Sequence, residues 1–239
     1  MNQHCLTCGR TFETTEVKVL RFTFPGSRYC GVCRETEEIE RAERLASERF
    51  HRTGVPPAYR DCSFADFQRL PGTGDALAEA MRWSKEVRQG RKPRRGLLFQ
   101  GPPGAGKTHL AVAILREVSY MQEDAATLFI NVPTWLQKLR DLRAQQLDGD
   151  ELQWSFPRGF KIVVLDDIGN EKADDWSRAR LYSLINEREA SNALTLATTN
   201  LELGELDTRL GKPIASRLRR LCQEVRLSPR ADYRALGAA

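Results

Sequence analysis

No stretch of this 239-residue chain approaches the ~18 consecutive apolar residues that a membrane-crossing helix needs. A membrane span is therefore not expected. An apolar leader is not expected either. Cys5, Cys8 and charged groups stand where a secretory signal would need a hydrophobic stretch. That absence points to a cytoplasmic protein with reduced thiols, in which cysteines are metal ligands before they are disulfides. A strong excess of charge of one sign is also lacking. Lys and Arg number 37 against 32 Asp and Glu, a formal net charge of +5. So mild a basic balance suits a nucleic-acid partner without requiring one. What is present is enough for one full α/β domain and a small appendage, with 41% hydrophobic residues to build a core.

The chain is organised around Gly101-Pro102-Pro103-Gly104-Ala105-Gly106-Lys107-Thr108, which fits the phosphate-loop pattern G-x-x-x-x-G-K-[ST]. Leu97, Leu98 and Phe99 before it read as a buried strand. Leu110, Ala111, Ile114, Leu115 and Val118 after it carry helical spacing. Strand, glycine loop and helix form the context the motif requires. Glycines let backbone N–H groups turn toward a phosphate chain at the positive end of a helix. Lys107 is expected at the β- and γ-phosphates of ATP, and the Thr108 hydroxyl on Mg²⁺.

A second motif is the run Phe160 to Leu165 that ends in Asp166-Asp167. A buried parallel strand delivers such acids at its C-terminal edge, beside the phosphate loop. Asp166 is placed to hold the Mg²⁺ shell, and Asp167 is the candidate base for the attacking water. Neighbouring strand residues point oppositely, so the strand must bend at its end; Ile168-Gly169 supports that bend. Ala193 to Thr199 reads as another strand ending at Asn200, either a group for the water and γ-phosphate or a plain turn. Thr127 to Val132 reads as a strand, and a helix opening at Pro133 follows it. Asp174 and Asp175 cap the next helix, Glu202 to Leu210 is a short helix, Ile214 to Leu221 is a basic helix, and Glu224 to Leu227 is a last strand. Gln145 to Arg158 reads as a polar surface segment, and the tail from Ser228 has little core.

At the N-terminus, Cys5-x-x-Cys8 and Cys30-x-x-Cys33 are paired-thiolate turns that suit a tetrahedral structural Zn²⁺. Residues 17–19 and 22–24 alternate as half-buried strands do, so a small zinc ribbon is expected; a redox dithiol is the alternative. Residues 34–58 read as a charged helical linker closed by Gly54-Val55-Pro56-Pro57. Asp75 to Gln89 reads as a helix. Phe64 and Phe67 read either as an adenine wall or as core. Arg91 to Arg95 is a basic turn, solvated or in contact with phosphate. Cys62 and Cys222 read as ordinary thiols. The expected domains are thus a zinc module at 1–33, a linker at 34–58 and a nucleotide domain at 59–239.

Five features in order make the nucleotide domain resemble the AAA+ ATPases, specifically the DnaC-type helicase loaders and the IstB-type transposition helpers. They are Phe64 to Phe67, Gly101 to Thr108, Leu165 to Gly169, Thr199 to Leu201, and Ile214 to Leu218. The resemblance implies a P-loop, ASCE-type five-stranded parallel sheet with helices on both faces. It implies Asn200 as sensor 1 and Arg217 as an arginine finger that acts in the neighbouring copy, so that the protein self-associates on ATP and DNA. Asp167 stands where many AAA+ proteins carry Glu, which suits slow hydrolysis. The chain after Arg217 is short for a helical lid, and Arg234 is the one late sensor 2 candidate. The expected activity is an ATPase that loads a replicative helicase, binds single-stranded DNA, and docks through its zinc module. The alternatives are a transposase helper and an ATP-gated adaptor with little hydrolysis.

Overall fold

The structure is a computed structural model, and it describes residues 2–15, 17–19, 22–24, 27–119, 126–145, 159–171 and 174–229; for residues 17–19 and 22–24 it describes the backbone only. The chain forms two compact units, Met1–Ser47 and Glu48–Ala239.

The first unit opens with two antiparallel hairpins. β1 (Asn2–His4) pairs with β2 (Thr11–Glu13), and β3 (Val17–Val19) with β4 (Phe22–Phe24). Then α1 (Gly31–His51) begins, and its last four residues belong to the second unit. Within the stretch expected as linker, Phe50 and Val55 are buried in the core of the second unit.

The second unit is a five-stranded, wholly parallel sheet in the order β6-β7-β8-β5-β9. The strands are β5 (Gly96–Gln100), β6 (Thr127–Asn131), β7 (Ile162–Asp166), β8 (Leu194–Thr199) and β9 (Cys222–Arg226). Every residue of β5 and β7 is buried, so both faces of the sheet are covered and the strands read as near-continuous apolar runs. The alternation of strand side chains divides them between two cores. Leu97, Phe99, Ile162 and Val164 face a core shared with α2 (Gly74–Arg88) and α3 (Lys107–Val118). Leu98, Val163, Leu165 and Ala197 face the other core. It is built with α4 (Val132–Ala144), α5 (Asp175–Ala190), α6 (Leu203–Leu210) and α7 (Lys212–Leu221). This is the five-stranded parallel sheet with helices on both faces that the resemblance implied.

The helices begin where their capping groups put them. Asn131 caps α4, its side chain accepting the Thr134 N–H, and Asp174 caps α5, accepting the Ser177 N–H. α6 carries a full capping box between Glu202 and Glu205. Because all five strands run the same way, their C-terminal ends share one edge. The loops after β5, β7 and β8 meet there.

Candidate functional site

The phosphate loop links β5 to α3. Its conformation requires glycine at two points. Gly101 has φ 156, and a Cβ there would sit 2.2 Å from the Leu227 carbonyl oxygen. Gly106 has φ 90, and a Cβ there would meet the Phe67 ring at 2.6 Å. Phe67 is thus both buried core and the backing of the loop, with His109 edge-on to its ring at 5.3 Å. Lys107 is almost fully buried, and its Nζ donates to the carbonyls of Gly101 at 2.8 Å and Pro102 at 2.7 Å.

Across from the loop, the Thr108 Oγ1 donates to Asp166 Oδ1 at 2.8 Å. The same oxygen accepts from Thr198 Oγ1 at 2.8 Å, and Oδ2 accepts from Asn131 Nδ2 at 3.3 Å. Burial pushes the Asp166 carboxyl above its ordinary range, and the donors from Thr108, Thr198 and Asn131 oppose that rise. Three neutral donors on one buried acid hold its oxygens in place without supplying a positive charge. The Thr108 hydroxyl and the Asp166 carboxylate are oxygen donors of the kind that suit a hard cation.

β7 ends at Asp166, and Asp167 takes φ 62, in the left-handed region. The bend expected at the end of the strand thus falls at Asp167, directly before Ile168-Gly169. The Asp167 N–H donates to Thr198 Oγ1 at 2.8 Å, and its Oδ1 accepts from Asn200 Nδ2 at 3.1 Å and Asn170 Nδ2 at 2.5 Å. The Ile168 N–H donates to the Thr198 carbonyl at 2.9 Å, and Thr199 Oγ1 donates to the Ile168 carbonyl at 2.8 Å. The end of β8 thus grips the end of β7 group by group.

Lys107, Thr108, Asp166, Asp167 and Asn200 line one cavity of about 1320 Å³, together with Tyr59, Asp61, Cys62, Asp66, Phe67 and Gln68. The structure therefore brings these sequence-selected residues together. Arg217 lies outside that cavity. It bridges to Glu189 at 3.3 Å, donates to Asn186 Oδ1 at 3.1 Å, and lies over the Tyr182 ring at 4.6 Å. Arg234 and most of the polar segment 145–158 lie outside the described residues.

Three residues of the site escaped the sequence reading: Asn131, Asn170 and Thr198. Two of them carried a signal. Asn131 is the polar end of an apolar strand and pairs in register with Asp166. Thr198 lies at the end of β8, two positions before Asn200. Asn170 lies in a turn, where nothing in its spacing marks it.

In the first unit, the Sγ atoms of Cys5, Cys8, Cys30 and Cys33 all lie within 4.8 Å of one another, with Cys8 and Cys30 at 3.7 Å. Tetrahedral zinc with Zn–S of ~2.3 Å needs sulfurs about 3.8 Å apart, so the cluster fits the ion. Backbone N–H groups of Cys30 and Cys8 bring the Cys5 thiol down to about 6. Hydrogen bonds with Cys8 and Cys30 push Cys33 up to about 12. Arg10 lowers Cys8 through its backbone N–H and through its Nε, 3.4 Å from the sulfur. Four crowded thiols cannot all ionise by themselves; a divalent cation removes the conflict. Of the remaining thiols, Cys222 is buried and donates to the Thr195 carbonyl at 3.2 Å, and Cys62 is half-buried at the cavity wall.

Comparison with known proteins gives a consistent result. The family model for the IstB-like ATP binding proteins matches residues 28–227. The replicative helicase loader DnaC of Escherichia coli is 25% identical over 171 residues, which cover 71% of this chain and 68% of that protein. An insertion sequence ATP-binding protein of Sinorhizobium fredii is 29% identical over 183 residues, covering 76% of this chain and 58% of that one. Among solved structures, the crystal structure of the DnaC helicase loader superposes with a TM-score of 0.62 at 23% identity, covering 72% of this chain and 99% of that one.

Proposed function

The chain belongs to the IstB-like ATP binding proteins and is an ATPase of the AAA+ fold, and from that premise we propose that it is an ATP-dependent loader of a replicative DNA helicase. The observation that carries the catalytic part is the Thr108–Asp166 hydrogen bond at 2.8 Å. It holds the loop hydroxyl and the strand acid together as two oxygen ligands at the mouth of one cavity.

In this reading Gly101 to Thr108 wrap the phosphates of ATP, and Lys107 leaves its two carbonyls for the β- and γ-phosphates. Thr108 and Asp166 hold Mg²⁺, which when bound offsets the charge of the phosphate oxygens. Asp167 orients and deprotonates the attacking water, and Asn200 fixes the Asp167 carboxylate. Arg217, away from its own cavity, serves the site of a neighbouring copy in an oligomer built on ATP and DNA. Hydrolysis is slow in the isolated chain, because half of each site comes from that neighbour. Cys5, Cys8, Cys30 and Cys33 hold a structural zinc, and the module at 1–33 docks on the helicase. The segment 34–58 links it to the nucleotide domain at 59–239. Single-stranded DNA is held by its backbone, without base readout. The protein works in the cytoplasm. No helix among the described residues is long and apolar enough to cross a membrane.

The family match also supports a second reading, the same ATPase acting on a transposase. Affinity purification with ATP–Mg²⁺ and single-stranded DNA tests both. Recovery of a replicative helicase, lost on deletion of residues 1–33, is the expected outcome. Recovery of a transposase in its place overturns the loader reading and leaves the ATPase standing.

A further inference from the structure

The turn between α2 and β5 is Arg91-Lys92-Pro93-Arg94-Arg95. Pro93 is buried and the four basic residues are exposed. The turn is fixed at both ends. The Arg91 N–H donates to the Glu86 carbonyl at 3.0 Å, the Trp83 indole N–H to the Arg95 carbonyl at 2.9 Å, and Arg95 Nη1 to the Arg219 carbonyl at 3.4 Å. Four cations are thus presented on a backbone that is already ordered. Little chain entropy remains to be lost when they meet a ligand.

Their surroundings leave them without counter-charge. Among the described residues none of the four is within ion-pair distance of a carboxylate. The nearby acids are engaged by other arginines: Glu86 by Arg82, Glu117 by Arg88, Asp207 by Arg219 and Glu189 by Arg220. The turn therefore carries four cations with no paired carboxylate of their own among the described residues. Gly96 opens β5 and the phosphate loop follows its last residue, so the turn lies at the opposite sheet edge from the cavity, roughly 16 Å away along the strand.

We propose that this turn is a nucleic-acid backbone contact: Arg91, Lys92, Arg94 and Arg95 bind successive phosphates, on a surface separate from the ATP cavity. The contact rests on the reading that the chain works on DNA, and it assigns where that DNA is held. The turn itself carries no aromatic residue and no helix, so its contact is to phosphate and carries no sequence preference.

The test is fluorescence anisotropy of the full chain with ATP–Mg²⁺ and a labelled oligothymidine, or a duplex of equal length, over a salt series. With Arg91, Lys92, Arg94 and Arg95 all changed to Gln, single-strand affinity is expected to fall roughly 100-fold near 0.1 M salt. The log–log salt slope should flatten by about 2–3, since each single-strand phosphate contact contributes ~0.7. Lys92→Gln/Arg94→Gln, at two residues without hydrogen bonds in the structure, gives about half that flattening and guards against a misfolded quadruple variant. A control with Arg34, Arg41, Arg44 and Arg69 changed to Gln loses the same charge elsewhere and keeps the slope. An unchanged slope in the turn variants, an equal loss in the control, or no DNA binding by the unmodified chain overturns the inference. Binding of duplex alone keeps the contact and removes the single-strand part of the loader reading. ATP binding followed in parallel with a fluorescent analogue stays intact in the turn variants, so failure of the contact and failure of the nucleotide site are read separately.

Discussion

At φ 62, Asp167 occupies backbone space that residues with a Cβ seldom enter, and such positions persist only where neighbours over-determine them. Thr198 does most of that. Its hydroxyl donates to Asp166 and accepts the Asp167 N–H, so one buried oxygen sets the angle between the two acids. Thr198→Val keeps the shape and removes both bonds. It is expected to cost about 1–3 kcal/mol of stability, as a buried N–H loses its acceptor. Turnover should fall on the order of 10²-fold through misplacement of Asp167, with ATP affinity changed far less. Thr198→Ser restores both. Urea unfolding and a kcat-against-KM comparison check this; a fall in affinity equal to the fall in turnover contradicts it. The sequence made Asp166 and Asp167 visible because acids at the end of an apolar run are conspicuous. Thr198 was hidden because threonine is ordinary in a strand, and only the pairing of β7 with β8 turns it into a bridge.

Elements of the nucleotide domain were readable where pattern and cap agreed. The strand and helix flanking the phosphate loop have unambiguous periods, and Asp174-Asp175 marked the start of α5. Strand order was not readable from periodicity. β5 lies between β8 and β9, which follow it much later in the chain, and the resemblance supplied the parallel sheet that alternation could not. The α5 cap also sets a pH dependence. The Ser177 N–H, then Arg140, hold the Asp174 carboxyl below its usual range. An acid depressed in the folded state stabilises it above the unfolded value of ~3.9, and the contribution is lost as pH falls through the lower folded value. Asp174→Ala is therefore expected to lower the urea midpoint at pH 7, with the difference from the unmodified chain shrinking in acid as pH falls through the lowered folded value. Equal differences at neutral and acid pH would assign the effect to packing.

At the scale of the whole molecule, the chain joins a unit that carries four close cysteines to a unit built on two apolar cores. On the proposed zinc assignment, metal binding, worth about 10–16 kcal/mol in comparable small zinc modules, supplies the stability of the first unit. A strong chelator is expected to release one zinc per chain and to open residues 1–33 to hydrogen exchange. The second unit should keep its melting temperature. Metal analysis that finds no zinc removes the assignment. The cysteine spacing made this cluster legible before any coordinates, since two C-x-x-C turns need only be brought together.

The central claim is that Gly101 to Thr108 and Asp166 form one Mg²⁺-dependent ATP site. Titration calorimetry of ATP into the full chain, with Mg²⁺ and with EDTA, tests it most directly when repeated on Lys107→Ala. One ATP per chain is expected, tighter with Mg²⁺ and lost in the variant, whose melting curve stays that of the parent. Binding that survives Lys107→Ala unchanged, or that ignores Mg²⁺, contradicts the account.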